Sequence, residues 1–343
     1  MKELEEPLLC IVVPTSNRRD LLLETLQSLL DDRAYAVTIT VVDGSSTDGT
    51  AEAILALQAY EPRLQYMRST EGKGFDFDLD LGVRESRAKF TWMLSDDDVV
   101  HRGAVRRVYE ILRENETLDV LVVNADIWDV GYNKLIQSRF SMLPDQSGED
   151  VNGLFENCVD ILSFMGSCIV RTDMWRSSET NRYYGSLFVH IGVILGTARK
   201  LHWRWLAQPI IKIRYGNASW TGISQSVWLS RWPELISTLD GVSQELRDKR
   251  IRRGALALFR QLVLLKALGQ YRPGELSSVP AYKSGVVARC KATVALVPRG
   301  VCYWLSWLWA HAAGKRAILY DLMQARGRGE MSRDEAVPER PRA

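Results

Sequence analysis

The most informative stretch of this chain reads Phe90-Thr-Trp-Met-Leu-Ser-Asp-Asp-Asp-Val-Val100. A short apolar run, residues 90–94, stops at three consecutive carboxylates, Asp96, Asp97 and Asp98. Adjacent anions repel each other and are costly to desolvate, so they need a cation or a solvated rim beside them. After a buried strand, the pattern is typical of a Mg²⁺ site, which commonly uses one or two carboxylates and substrate phosphates. A solvated acidic turn is the alternative that this stretch alone leaves open.

Strands and helices alternate on both sides of this stretch. Apolar runs at 8–13, 37–42, 64–67 and 120–123 predict further strands, and helical patterns lie between them. Short loops and buried-type strands are typical of a mostly parallel, doubly wound α/β sheet with flanking helices. Ligands of such sheets bind beyond the carboxyl ends of the strands.

Three polar loops fall at that edge of the predicted sheet, at residues 14–19, 43–48 and 96–98. Their convergence indicates a binding site more strongly than any one loop does. From about residue 225 the chain has a helical pattern, and after residue 326 it is rich in Arg, Glu and Pro, which predicts a disordered tail.

Charge is unevenly distributed along the 343 residues. Residues 1–240 carry 25 Lys+Arg against 34 Asp+Glu, whereas residues 241–343 carry 19 against 8. A basic C-terminal part predicts contact with an anionic partner, either membrane lipid or nucleic acid. Zinc-finger spacing and RNA-binding signatures are absent from the sequence, so we expect lipid and no nucleic acid.

Cysteine usage and the N-terminus bear on the compartment. The five cysteines are scattered, odd in number and without a CxxC pair, which argues against a disulfide framework or a zinc site and favours a reducing cytoplasm. The N-terminus has no basic segment followed by an apolar one, so no signal peptide is predicted.

Three motifs together resemble the family 2 glycosyltransferases, which have the nucleotide-sugar-binding GT-A fold. They are Ile11-Val-Val-Pro-Thr-Ser-Asn-Arg18, Val41-Val-Asp-Gly-Ser-Ser-Thr-Asp-Gly-Thr50 and Leu94-Ser-Asp-Asp-Asp98. Later segments at 166–171, 184–190 and 214–220 resemble the abequosyltransferase-like branch. The resemblance implies an α/β GT-A (Rossmann-like) domain, a helical C-terminal region, and transfer of a sugar from a nucleotide-sugar donor.

The resemblance also implies roles for individual residues. The predicted nucleotide-sugar contacts are Pro14, Thr15, Asn17, Arg18, Asp43, Ser45, Asp96, Arg214, Asn217 and Trp220. Residues 96–98 match the DxD motif, with Asp96 and Asp98 as ligands of Mg²⁺ or Mn²⁺, and Asp97 acting at the catalytic centre on ribose or metal-bound water. Arg214 could clamp phosphate, Asn217 could bind sugar hydroxyls and Trp220 could stack on a pyranose. A turn packed around Gly216 is the alternative.

The chain departs from the family pattern after the third strand, where Asp80 stands about where Asn is expected. Asp76, Asp78 and Asp80 alternate, which places them on one face of a strand or spreads them around a helix. We assign Asp76 and Asp80 to the donor pocket. The alternative is an acidic helix start that the helix dipole favours.

The general base is a second departure, because the usual Glu-Asp pair is replaced by a segment containing His190. A histidine with its ordinary pKa near 6.5 suits a base at neutral pH, so His190 is predicted to be catalytic. A buried histidine bonded to backbone is the alternative, and Asp126 and Asp129 are alternative bases or acceptor contacts.

Residues 300–314 contain no Lys, Arg, Asp or Glu but three Trp and one Tyr. As a helix they would extend roughly 22 Å, short of the ~30 Å hydrocarbon core. Basic residues flank the segment, so the region 289–316 predicts a helix lying on an anionic bilayer. Packing on the catalytic domain or in a homodimer interface is the alternative.

These inferences combine into one prediction. Residues 1–225 form a GT-A domain (1–125 for the nucleotide-sugar, 126–225 for the acceptor), 226–325 a helical and membrane-associated region, and 326–343 a disordered tail. The predicted function is metal-dependent, inverting transfer to a glycan or lipid-linked acceptor of bacterial surface polysaccharide, at the inner face of the cell membrane. A nucleotidyltransferase or a non-catalytic nucleotide- or sugar-binding protein is the alternative.

Overall fold

The computed structural model describes residues 7–30, 37–69, 72–196, 200–218, 223–251, 255–274 and 284–331. The strands of this part of the chain are Leu9–Thr15 (β1), Val37–Asp43 (β2), Leu64–Arg68 (β3), Phe90–Met93 (β4), Val99–Val100 (β5), Val120–Trp128 (β6), Leu135–Gln137 (β7), Gln146–Gly148 (β8), Cys168–Arg171 (β9) and Trp203–Arg214 (β10).

The helices alternate with the strands and then dominate. They are Arg19–Leu30 (α1), Thr50–Gln58 (α2), Phe75–Glu85 (α3), Ala104–Glu114 (α4), Val151–Leu162 (α5), Thr172–Arg176 (α6), Val189–Leu195 (α7), Ser224–Ser226 (α8), Trp232–Ser237 (α9), Gln244–Ile251 (α10), Ala255–Ala267 (α11), Ser284–Leu296 (α12), Arg299–Ala312 (α13) and Arg316–Met331 (α14). Short 3₁₀ turns occur at Met165–Ser167 and Asn181–Tyr183, and a π-helical turn at Val227–Arg231.

One sheet organises the N-terminal part, with strand order β3-β2-β1-β4-β9-β6-β10-β5. Strands β1 to β4 pair in parallel, and β10 runs parallel to β6. Strand β9 is antiparallel to both of its neighbours, and the edge strand β5 is antiparallel to β10. The predicted mostly parallel sheet is therefore confirmed, with antiparallel strands inserted after β4.

The register aligns the ends of β1 and β2. Pro14 and Thr15 stand opposite Val42 and Asp43, so the loops that follow both strands leave the sheet at the same level. Pro14 is tolerated here because it stands next to the last residue of the strand, where few ladder bonds are lost.

Alternating residues of the parallel strands face two layers of helices. On one side, Ile11 and Ile39 pack with Leu26 of α1 and Val108 of α4 in the main hydrophobic core. On the other side, α3 packs against β1 and β2. A Cβ added to Gly82 of α3 would lie 2.5 Å from Val12 Cγ1 and 2.7 Å from Val42 Cγ2, so only glycine permits this approach.

The chain divides into two compact units, one formed by residues 1–215 and 235–248 and the other by 216–234 and 249–343. The second unit has its own apolar core, in which Leu258 and Leu262 of α11, Cys302 of α13 and Leu322 of α14 are fully buried. Among the residues described above, no helix is both long enough and apolar enough to cross a membrane.

The tail prediction is wrong for residues 326–331, which continue α14 as helix. Leu322 and Ala325 anchor the preceding turn in the core, and helix propagation beyond an anchored turn costs little. Residues 332–343 lie outside the described part of the chain.

Candidate active site

Three loops at the carboxyl edge of the sheet are joined by hydrogen bonds. Thr15 Oγ1 donates to Asp96 Oδ2 over 2.8 Å, linking the loop after β1 to the acidic turn after β4. The backbone N–H of Asn17 donates to Ser46 Oγ, and the N–H of Thr47 donates to Asn17 Oδ1, each over 2.8 Å. Asn17 adopts a positive φ of 54°, a region that asparagine tolerates well. Thr15, Asn17 and Asp96 therefore lie where the sequence predicted.

Arg18 is the cation that faces the acidic turn. Its guanidinium contacts Asp96 Oδ1 at 3.1 Å and Asp97 Oδ2 at 2.6 Å. Ser95 Oγ donates to the other Asp97 oxygen over 2.5 Å. Burial raises the pKa of Asp96 to about 6, and the positive charge of Arg18 opposes that increase.

Asp98 has a different environment from its two neighbours. Its carboxylate is buried, and Oδ1 accepts a hydrogen bond from the backbone N–H of Arg214 over 2.8 Å. Burial, with a further contribution from the charge of Asp97, raises the pKa of Asp98 well above the ordinary range. This hydrogen bond accounts for one of the two carboxylate oxygens, and the role of Asp98 as a metal ligand stays a prediction.

The Arg214 side chain is committed to the same turn. Its Nε donates to the Asp97 carbonyl oxygen over 2.9 Å and a terminal nitrogen donates to the Val130 carbonyl over 2.6 Å. Its other terminal nitrogen pairs with Glu24, and the guanidinium lies 4.4 Å from the ring centre of Tyr132. These contacts hold Arg214 on the acidic turn, and its role as a phosphate clamp stays a prediction.

The roles of Asn217 and Trp220, which the sequence grouped with Arg214, stay predictions. Asn217 is half-buried and belongs to the second compact unit. Trp220 lies outside the described residues.

Asp43 ends β2 as a fully buried carboxylate. Its Oδ1 accepts from the N–H of Ser46 over 2.8 Å, and its Oδ2 accepts from the Tyr66 hydroxyl over 2.7 Å. Burial, reinforced by the hydrogen bond to Asp43, raises the pKa of Tyr66 to about 12. Ser45, at a φ of 66°, donates through Oγ to the Ser69 carbonyl over 2.6 Å. Asp43 and Ser45 thus stabilise the conformation of the second polar loop, residues 43–48.

Helix α3 begins at Phe75, so the three alternating aspartates lie on a helix. At 3.6 residues per turn, Asp76 and Asp80 share one face and Asp78 points the other way. Asp76 accepts from the N–H groups of Leu187 (2.9 Å) and Val189 (3.1 Å), at the start of α7. Its predicted donor-pocket role is replaced by a structural one.

Asp80 is the centre of a buried network on that face. It accepts from Trp175 Nε1 (2.7 Å), Thr180 Oγ1 (3.0 Å) and the Tyr184 hydroxyl (2.6 Å), and pairs with Arg84 (3.0 Å). These donors saturate the carboxylate, so Asp80 ties α3 to the segment around α6 and does not reach the predicted donor pocket.

Asp78, which sequence reasoning passed over, faces the polar edge. A Cβ on Gly44 would lie 2.7 Å from Asp78 Oδ2, so this carboxylate touches the second loop. Within the described residues, its Oδ1 and the Oγ of Ser69 are buried and have no hydrogen-bond partner. Burial, together with the charge of Asp43, raises the pKa of Asp78. On a helix, Asp78 faces away from Asp76 and Asp80 because it is two residues from each, and this offset could have identified it from the sequence.

His190 lies inside the core on α7. Its Nε2–H donates to the Leu162 carbonyl over 2.9 Å, and its Nδ1 has no hydrogen-bond partner within the described residues. Burial lowers the pKa of His190 to about 4, so the imidazole is neutral at pH 7. The geometry matches the buried-histidine alternative, because an acceptor hydroxyl cannot reach a side chain that is 1% exposed.

The two alternative carboxylates have distinct surroundings. Asp129 Oδ1 accepts from the N–H groups of Asn133 and Lys134 and so shapes a turn. Asp126 lies 3.1 Å from His101 Nε2 through one carboxylate oxygen, beside a cavity of about 630 Å³. Its other oxygen is buried without a hydrogen-bond partner within the described residues.

The acidic turn fits a cation that is shared with a substrate. In the described part of the chain, no three His, Cys, Asp or Glu side chains converge as a closed metal site. Mg²⁺ and similar ions need only one or two carboxylates when phosphate supplies further oxygens. Asp96 and Asp97, which both contact Arg18, are a pair of carboxylates that could serve such an ion.

Comparison with known proteins identifies a sequence family. The family model "Glycosyl transferase family 2" matches residues 10–204. The chain is 21% identical to the abequosyltransferase RfbV of Salmonella typhimurium over 228 residues, covering 62% of this chain and 68% of RfbV. It is 28% identical to the GalNAc(5)-diNAcBac-PP-undecaprenol beta-1,3-glucosyltransferase of Campylobacter jejuni over 109 residues, covering 32% of this chain and 35% of that protein. The chain spans about two-fifths of the length of the first relatives it matches.

Solved structures show the same fold at low identity. Staphylococcus aureus TarS 1–349 in complex with UDP superposes with a TM-score of 0.54 at 17% identity, covering 94% of this chain and 92% of TarS. The mannosyltransferase PcManGT of Pyrobaculum calidifontis, in complex with GDP-Man and Mn²⁺, gives 0.50 at 14% identity, covering 94% and 86%. These likenesses confirm the predicted fold.

Proposed function

This chain belongs to glycosyl transferase family 2, and on that premise we propose that it transfers a sugar from a nucleotide-sugar donor to a glycan or lipid-linked acceptor. The observation that carries the proposal is the acidic turn, where Asp96 and Asp97 meet Thr15 and Arg18 at the carboxyl edge of the sheet. Ligands of open α/β sheets bind at this edge.

Asp96 and Asp97 would hold a divalent cation, Mg²⁺ or Mn²⁺, against the donor diphosphate. A bound cation of this kind offsets the negative charge that develops on a departing nucleoside diphosphate. Arg18 lies on the same carboxylates and can move to the diphosphate when they take up another cation, because its side chain is part-exposed. The complex of PcManGT with GDP-Man and Mn²⁺ supports a divalent cation and a nucleotide-sugar donor.

We also place Asp78 and Asp43 in the donor site, because both carboxylates adjoin the second polar loop, residues 43–48. Asp78 has an oxygen without a partner within the described residues, and it touches Gly44 directly. Such a group suits an N–H or hydroxyl of a nucleoside, since an unpaired buried carboxylate oxygen gains a hydrogen bond when a ligand donates one.

Direct inverting displacement requires a base near the acceptor hydroxyl, and we assign this role to Asp126 in place of His190. Asp126 borders a cavity and is paired with His101, whereas His190 is enclosed and neutral. A carboxylate supported by one histidine can accept a proton and return it to solvent through that histidine.

The acceptor is proposed to be a lipid-linked glycan of a bacterial surface polysaccharide, used at the inner face of the cell membrane. The support is the name of the Campylobacter jejuni relative, whose acceptor is linked to undecaprenol, together with the abequosyltransferase relative. The excess of Lys and Arg in residues 241–343 is consistent with work at an anionic surface.

A donor panel tests the proposal. The protein is incubated with UDP-, GDP-, CDP- and dTDP-sugars, with Mn²⁺ or Mg²⁺ and then with EDTA, and the released nucleotide is measured. We expect release from one donor, dependent on metal and accelerated by a lipid-linked acceptor. Release of nucleotide from none of these donors, with metal and a lipid-linked acceptor present, would contradict the proposal.

A further inference from the structure

Helix α13 buries small residues and exposes several large apolar ones. The side it buries is made of small residues, Cys302, Ser306 and Ala310, spaced four apart. Surface helices of globular proteins normally bury their large apolar residues and expose polar ones. Tyr303 and Trp307 are partly buried against the core, whereas four large apolar side chains of α13 are exposed.

Those large side chains form one stripe. Val301, Trp304, Leu305 and Leu308 are between 47% and 58% exposed, and their spacing of three and four residues places them on a single helix face. We define these four residues as the α13 stripe. Contiguous exposed apolar surface of this kind marks a protein or membrane contact.

Aromatic rings connect the exposed stripe to the core, against which Tyr303 and Trp307 are packed. Tyr303, Trp304, Trp307 and His311 form a chain of ring contacts with centroid separations of 5.8, 5.9 and 5.2 Å. Trp and Tyr rings favour the membrane–water interface, where an apolar body and a polar N–H or hydroxyl are both solvated.

Cations border the stripe. Residues 284–331 contain seven Lys or Arg and two Asp or Glu, while α13 itself has no acidic residue. Lys315 and Arg316 follow the helix after Ala313 and Gly314, are exposed, and make no ion pair within the described residues. An apolar stripe with cations beyond one end complements an anionic surface with an apolar interior.

We propose that the α13 stripe docks on the surface of an anionic phospholipid bilayer, with its apolar side chains inserted below the headgroups and Lys315 and Arg316 at the phosphates. The 14 residues of α13 extend about 21 Å at 1.5 Å per residue, so the helix lies in the plane of the interface and does not span it. Vesicle binding needs no donor sugar, so this inference stands or falls independently of the transfer reaction.

The test is sedimentation of the full-length protein with vesicles of phosphatidylcholine alone or of phosphatidylcholine with phosphatidylglycerol. We expect binding to the anionic vesicles only. Leu308→Gln should reduce the partition coefficient about fivefold, because about half a leucine side chain no longer transfers from water. Lys315→Gln and Arg316→Gln should each reduce it by about fivefold as well.

Leu55→Gln is the matched control, since Leu55 is 53% exposed and Leu308 58%, and Leu55 lies on α2 in the other compact unit. It should bind vesicles like the wild type. Equal binding of Leu308→Gln and wild type would overturn the proposal. So would a concentration-dependent dimer that Leu308→Gln dissociates in the absence of lipid, because the stripe would then be a self-association surface.

Discussion

The backbone N–H of Arg214, the last residue of β10, donates to Asp98 Oδ1 over 2.8 Å. The same residue reaches the Asp97 carbonyl through its side chain. Two residues separated by 116 positions thus set the shape of the acidic turn. The third aspartate of the motif therefore helps to fix the turn's conformation through one carboxylate oxygen.

Arg214→Lys should loosen this turn, because lysine keeps the charge but lacks the planar fork that bonds Asp97 and Val130. We expect a loss of about 3 kcal/mol in the free energy of unfolding, as for two charge-assisted hydrogen bonds. Urea denaturation measures it. Arg107→Lys, at an exposed position of α4, is the control and should leave stability unchanged within error; equal stabilities of both variants and wild type would refute the positioning role.

His190→Gln distinguishes a structural histidine from a catalytic one. The glutamine amide can replace Nε2–H as donor to the Leu162 carbonyl. The structure predicts a modest loss of thermal stability and a turnover number within a few-fold of wild type. A general base would instead cost on the order of 10² to 10⁴ in rate, and a loss of that size in folded His190→Gln would restore His190 as the base.

Asp96 should make stability depend on pH in the direction opposite to a carboxylate whose pKa is lowered on folding. Its pKa is raised from 3.8 in the unfolded chain to about 6 in the folded state, so the folded protein binds the proton more tightly. The free energy of unfolding therefore rises as pH falls from 6 toward 4, by up to about 3 kcal/mol for a two-unit shift. Denaturation in EDTA should show this rise in wild type and a weaker one in Asp96→Asn; parallel pH profiles would contradict the assignment.

Gly82→Ala tests the packing of α3 on the sheet. The new methyl group would enter the space of Val12 and Val42, which are short, stiff side chains of buried strands. We expect a loss of about 1–3 kcal/mol in the free energy of unfolding. Gly300→Ala in α13 meets no neighbour within 4 Å and should be neutral or slightly stabilising, so similar effects of the two substitutions would be evidence against this packing.

The sequence was sufficient for strands β1 to β4 and β6 and for the three loops that bear the site. Each of β1, β2 and β4 is a short apolar run that ends at a polar loop, and this pattern has one common reading in α/β proteins. Strands β5, β7, β8, β9 and β10 escaped prediction because they are short, aromatic or antiparallel insertions, whose partners are set by tertiary packing.

Side-chain roles were harder to predict than loop positions. Asp80 and Arg214 have the right chemistry for a ligand site. Both side chains instead contact residues about 90 to 190 positions away in sequence, such as Trp175 for Asp80 and Glu24 for Arg214. The sequence of a motif-like segment does not show whether a charged residue contacts the ligand or stabilises the backbone that carries the contacting residue. Asp78 was missed for the complementary reason, since only the phase of α3 shows which aspartate faces the second loop.

The most direct measurement is the rate of nucleotide release from the preferred donor by wild type and by Asp97→Asn, each with Mn²⁺ and with EDTA. We predict that Mn²⁺ accelerates the wild type strongly, and that Asp97→Asn in Mn²⁺ is slower by a factor of about 10² or more, corresponding to roughly 3 kcal/mol of lost charge stabilisation. A folded Asp97→Asn protein that releases nucleotide at the wild-type, metal-stimulated rate would contradict the assignment of the acidic turn as the metal–diphosphate site.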